Sequence, residues 1–236
     1  MRIEHQNFMI LSTEWFDKQD HFWDQNSFPD WAALSGLGYV VTNAAGIGVE
    51  PHYHDCDEFW LFCTGIGEVW LDGQVHDIMP QMVVYTPMGL VHRFQSFTAG
   101  AMTAGFVTRL EGQKRSAHLH VAEMGMPSSP FSGFVVPGDQ NTGALARPEP
   151  RCPLSELRYR ILLPDETAAD GQARSHEYWI VTAGELQLVI EDVVFHLAPG
   201  DVAIMRRGLN RHVKAPLGAD VIMAREHLSG PQSAQV

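Results

Sequence analysis

His52, His54 and Glu58 stand within seven residues of one another, in a stretch from Gly46 to Gly65 that reads G-I-G-V-E-P-H-Y-H-D-C-D-E-F-W-L-F-C-T-G. Imidazole nitrogens and carboxylate oxygens are donors that a divalent transition metal accepts. Extended backbone alternates its side chains between faces, so His52 and His54 point one way and Tyr53 the other. A turn through residues 55–57 returns the chain, and Glu58 opens a strand of bulky side chains, Phe59, Trp60, Leu61 and Phe62. A fourth candidate donor, His92, ends the run P-M-G-L-V-H, where Pro87 and Gly89 make a tight turn before an apolar strand.

Strand-like runs must carry these groups. They fall at residues 37–42, 58–63, 68–71, 82–85, 92–94 and 102–107, and Asp72-Gly73 marks a type I′ hairpin. Many short strands between Gly and Pro turns mean an antiparallel sandwich or barrel. Residues 1–36 are rich in aromatics without a long period, and they read as an arm packing on the barrel. Residues 122–154 hold Pro127, Pro130, Pro137, Pro148, Pro150 and Pro153 of the fourteen prolines, and read as a connector.

Together the chemical stretches spell G-x5-H-x-H-x3-E-x6-G and P-x-G-x2-H. This resembles the two signature motifs of the cupin superfamily, the first at every defined position. The second departs from it at a turn, with Gln81 and Met82 in place of the usual Gly-Asp pair, and at Ser96, where Asn is common. The resemblance implies that His52, His54, Glu58 and His92 bind one metal inside a small β-barrel. An internal repeat follows at an offset of 119 residues: Glu58 matches Glu177, Trp60 matches Trp179, Gly65 matches Gly184 and Gly89 matches Gly208. At that offset His52, His54 and His92 meet Gly171, Ala173 and Arg211, none of which ligates a metal. His176 and His212 are out of register. The expected architecture is all-β, two tandem cupin barrels of the jelly-roll type. A metal-binding barrel over 37–121 and a barrel without metal ligands over 155–236 follow the arm and flank the connector.

A site of three neutral imidazoles, one carboxylate and a divalent ion carries a net charge of about +1 and leaves positions open for oxygen ligands. The ion could be Fe, Mn, Zn, Ni or Co, one per chain. Such a centre either polarises a carbonyl or hydroxyl while a side chain moves a proton, or binds substrate and dioxygen together. Tyr53 and Asp57 flank the ligands and are candidate proton carriers. Trp60, Phe62, Tyr85 and Phe94 are candidate pocket walls, with Trp70 a further one. Arg93, Arg109, Lys114 and Arg115 are rim cations, and Cys63 is read as a core thiol.

Lys plus Arg is 16 against 28 Asp plus Glu, a net charge of −12, which disfavours nucleic acid or an anionic membrane as partner. Three cysteines without CxxC spacing fit a reducing compartment, and the absence of a signal-like start or long apolar run points to the cytoplasm. The expected protein is a homodimeric, metal-dependent small-molecule enzyme of the bicupin type. The first reading is an isomerase or epimerase of a carbohydrate, polyol or keto acid, acting through a metal-bound enediolate. An Fe(II)-dependent dioxygenase is the enzymatic alternative, and a non-catalytic metabolite-binding or sensing cupin is the third.

Overall fold

A computed structural model describes residues 2–12, 28–42, 44–46, 48–108, 119–127, 129–130, 132–137, 145 and 152–227. Arg109, Lys114 and Arg115 lie outside the described residues. The chain divides into two compact units, one of residues 34–152 and one that joins residues 2–12 and 28–33 to residues 153–227. Among the described residues no helix is long and apolar enough to cross a membrane.

The chain opens with strands β1 (Arg2–His5) and β2 (Phe8–Leu11). The 34–152 unit follows with β3 (Leu34–Val41), β4 (Gly48–Tyr53), β5 (Glu58–Phe62), β6 (Gly67–Leu71), β7 (Gln74–Ile78), β8 (Met82–Thr86), β9 (His92–Ser96) and β10 (Met102–Thr108). It then adds β11 (Leu119–His120), a single helical turn α1 (Val121–Met124) and β12 (Phe134–Pro137). Two five-stranded sheets result, ordered β12-β8-β5-β10-β3 and β11-β4-β9-β6-β7, with antiparallel pairing throughout. A core of Phe62, Val69, Leu71, Ile78, Val84, Leu90 and Phe94 draws on strands of both sheets. Period-two alternation supplies it: in β6, Gly67, Val69 and Leu71 are buried while Glu68 and Trp70 are half-exposed.

In the other unit, strands β13 (Leu154–Leu162), β14 (Glu166–Gln172), β15 (Glu177–Gly184), β16 (Leu186–Ile190), β17 (Val193–Leu197), β18 (Val202–Met205), β19 (Asn210–Ala215) and β20 (Ala219–Glu226) repeat the pattern. Its sheets run β1-β2-β18-β15-β20-β13 and β14-β19-β16-β17. Residues 2–11, assigned to an arm from sequence, thus form strands of this sheet. The reason is apolarity, since all of β2 is buried and Phe8 and Ile10 join the core of Trp179, Leu188, Val213 and Met223.

The repeat is visible in the turns. Asp72-Gly73 and Glu191-Asp192 each close a two-residue hairpin with both residues at positive φ, the geometry of a type I′ turn. Gly65 and Gly184, also matched in the repeat, sit at φ +83° and +72°. A Cβ there would collide with Ala101 in the first unit and with the Gly218 carbonyl in the second.

Candidate metal centre

Strand pairing brings the four predicted donors together. His52 on β4 lies directly across from His92 on β9, and opposed residues of an antiparallel pair share a face. The register slips between Val49 and His52, where β4 spends one residue more than β9. This bulge keeps both Val49 and His52 on the core side, which strict alternation forbids. His54 follows just after the strand, and Glu58 enters from β5 of the other sheet.

The donor atoms of His52, His54, Glu58 and His92 all lie within 4.8 Å of one another. The four residues are at most 3% exposed. Ring centroids of His52 and His92 are 4.3 Å apart, and the His54 and His92 rings stack at 5.5 Å. The Nδ1 atom of His52 lies 2.7 Å from the Glu50 carbonyl, and that of His92 lies 2.9 Å from the Leu90 carbonyl. A carbonyl only accepts, so each Nδ1 carries the proton and each Nε2 keeps its lone pair for an ion.

Glu58 is fully buried, and neither of its carboxylate oxygens makes a hydrogen bond of good geometry; the same holds for His92 Nε2. His54 Nε2 and His92 Nε2 stand 3.3 and 3.2 Å from Glu58 Oε2. Burial by itself raises the Glu58 carboxyl, but with no ion bound His54 and His92 in their protonated forms, with a lesser pull from the Trp60 indole, outweigh it and hold the group well below the usual carboxylate range. A buried carboxylate with no proton and no full hydrogen bond is costly unless a cation sits beside it. The donor set therefore fits a divalent transition metal.

Asp57 and Tyr85 are not placed where the sequence reading put them to work. Tyr85 pairs with Phe59, not with Glu58, so it occupies the face of β5 turned away from the ligands and packs on Phe59 and Phe134. Its hydroxyl donates to Asp57 Oδ2 at 2.8 Å, and Asp57 Oδ1 accepts the Met88 N–H at 2.8 Å. Asp57 is 4% exposed. Its carboxylate is thus an anchor for the turn before His92, which the Gly89 N–H bonds a second time through the His54 carbonyl at 2.9 Å. Tyr53 is half-buried and alternates away from His52.

Trp60, Phe62 and Phe94 share the Glu58 face, with Trp60 and Phe94 rings 6.2 Å apart and Phe62 and Phe94 5.1 Å apart. Phe62 and Phe94 are core-buried, whereas Trp60 is partly exposed. Trp70 and Arg93 face the other way, where Arg93 pairs with Glu68 at 3.1 Å. Cys63 is buried and burial pushes its thiol up, which makes it a poor nucleophile. Sequence reasoning missed His120: β11 sets it opposite His52, with ring centroids 6.0 Å apart. No spacing tied it to the 52–58 stretch.

In the second unit a guanidinium stands beside the matching carboxylate. Arg211, at the His92 position, donates from Nε and Nη2 to the two oxygens of Glu177 at 3.1 and 2.8 Å. Its Nη1 donates to the carbonyls of Asp170 and of Gly171, the latter at the His52 position. Arg225 and Trp179 also reach Glu177, at 3.0 and 3.3 Å. A guanidinium thus supplies the positive charge that the first unit leaves to an ion. His176 instead stacks on Trp31 and accepts the Arg207 N–H, and half-buried His212 pairs with Asp170.

Comparison with known proteins agrees with this geometry. The Cupin domain family (Cupin_2) matches residues 39–108. An uncharacterised protein of Sinorhizobium fredii, y4oW, is 36% identical over 82 residues, a match spanning 35% of this chain and 38% of that protein. Among solved structures, the Mn(II)-containing oxalate decarboxylase of Bacillus subtilis superposes with a TM-score of 0.60 at 11% identity, over 97% of this chain and 75% of that one. AerE from Microcystis aeruginosa superposes with a TM-score of 0.57 at 11% identity, over 96% of both chains. At such identities the likeness to the two structures concerns fold.

Proposed function

Residues 39–108 are a cupin domain and both halves of the chain carry the cupin fold; from that premise we propose that the protein is a metal-dependent enzyme for a small oxygen-bearing substrate. The observation that carries this reading is the buried Glu58 carboxylate, which converges with three imidazole nitrogens and lacks a hydrogen bond of good geometry. His52, His54, Glu58 and His92 would hold the ion, and four protein donors leave room in the coordination sphere of Mn, Fe, Ni or Co. The ion supplies Lewis acidity that stabilises negative charge on a substrate oxygen. With an overall site charge near +1, a carboxylate, enolate or alkoxide is the favoured guest.

The first reading of the chemistry is isomerisation or epimerisation of a sugar, polyol or keto acid. What the chain contributes is orientation and exclusion of water. His52 and His92 are locked by backbone carbonyls, and Leu71, across from His92 on β6, walls the centre with apolar surface. The partly exposed Trp60 offers a ring face against which a substrate can stack. That same apolar lining favours a second reading, an Fe(II) dioxygenase, because an apolar wall suits an apolar substrate and dioxygen.

One experiment separates the two. The untagged protein is assayed for metal, then screened against aldoses, ketoses and keto acids with and without oxygen. Anaerobic incorporation of solvent deuterium into a recovered substrate is the expected result. Bound iron with stoichiometric oxygen uptake would replace the isomerase by the oxygenase, and tight metabolite binding without turnover would replace both by a sensor.

A further inference from the structure

His120 stands beside the metal ligands without belonging to them. It is one of the two residues of β11, which pairs with the end of β4 in the register Leu119 to Tyr53 and His120 to His52. Directly opposed residues place their Cβ atoms ~5 Å apart on one face of the sheet. His120 therefore shares the face of His52, while Leu119 shares that of Tyr53. The His120 and His52 rings lie 6.0 Å apart and are tilted by 47°. Its donor atoms fall outside the group whose members are all within 4.8 Å.

Exposure distinguishes it further. The four ligands are at most 3% exposed, and Thr86, across from Glu58, is 1% exposed. His120 is partly exposed. A side chain that borders a closed ligand cluster and still meets solvent is placed to touch both the centre and a molecule outside it. The two proton carriers expected from sequence are elsewhere: Asp57 is held by Tyr85 and Met88, and Tyr53 points off the ligand face.

We propose that His120 contacts the substrate, forming a hydrogen bond to an oxygen of an anionic or hydroxylated molecule held at the metal centre. The role rests on the reading of that centre as open to an oxygen ligand. An imidazole can donate from one ring nitrogen and accept at the other, so it suits either a carboxylate oxygen or a hydroxyl. It makes the site selective for a molecule with two neighbouring oxygens, one for the ion and one for His120. 2-Hydroxy and 2-keto acids and vicinal diols belong to that class.

The test uses the full chain loaded with Co(II) and titrated with glycolate, a 2-hydroxy carboxylate, while the cobalt visible absorption is followed. The expected result is saturable binding by the wild type, and one cobalt per chain in both wild type and His120→Ala. The variant should bind glycolate about ten-fold more weakly, the loss of one hydrogen bond to a charged group. His120→Gln keeps a donor and should fall between the two. Equal glycolate affinity in wild type and His120→Ala overturns the role of His120 alone. Loss of cobalt from both His120 variants, to the degree seen with His52→Ala, overturns it in favour of a ligand or structural brace. A wild-type cobalt spectrum that glycolate does not alter overturns both this role and the open site on which it rests.

Discussion

At the scale of single residues, the four ligands and the groups that hold them are separable. Changing His52, His54 or His92 to Ala removes a direct donor and should abolish tight metal binding, as read by metal analysis after gel filtration. Glu58→Gln keeps the shape and removes the charge, and it should weaken binding at every pH. Acidification has a defined direction. Glu58 is held below the usual carboxylate range and stays ionised, so protons compete for the ion at the histidines. Metal should be retained near neutrality and released as pH falls through ~6.5, the range in which free imidazoles protonate. Tyr85→Phe tests the anchoring role of Asp57. It should cost about 1 kcal/mol in denaturant unfolding and leave one metal per chain, whereas Asp57→Ala strands two donors and should cost roughly 2 kcal/mol or more.

At the scale of elements, the two units solve one problem in two ways. The β5 carboxylate Glu58 and its β15 counterpart Glu177 are both buried, and each needs a cation. The first takes it from solution, and the second takes it from Arg211 on β19. Arg211→Ala should therefore lower the stability of the second unit by on the order of 3 kcal/mol, with Arg225 limiting the loss, and should leave metal content unchanged. A thermal or urea transition that does not move would show the pair to be incidental. Arg211→Lys should not restore the loss, because an ammonium cannot meet both carboxylate oxygens and the two carbonyls at once.

Much of this is legible in the sequence. The alternating strands, the Asp72-Gly73 hairpin and the 119-residue repeat follow from period-two hydrophobicity and turn chemistry, which are local. His52, His54 and Glu58 were visible because they are close in sequence. What was hidden depends on pairing between distant strands. Tyr85 faces away from the ligands because β8 pairs in a register that no local pattern encodes, and the extra residue in β4 cannot be told from its sequence. His120 reaches the site only through a two-residue strand that follows no periodic run. At the repeat offset Arg211 marks only a missing ligand, and its place as a substitute cation rests on its distances to Glu177.

For the whole molecule, a division of labour is expected between two units of one fold, with metal and substrate at the first and a metal-free, guanidinium-braced second. The most direct test is metal stoichiometry per chain, measured with anomalous scattering to locate each ion. One equivalent is expected, bounded by His52, His54, Glu58 and His92, and lost on His54→Ala while the second unit stays folded. Two equivalents, with one beside Glu177, or a single ion that survives His54→Ala, would contradict it.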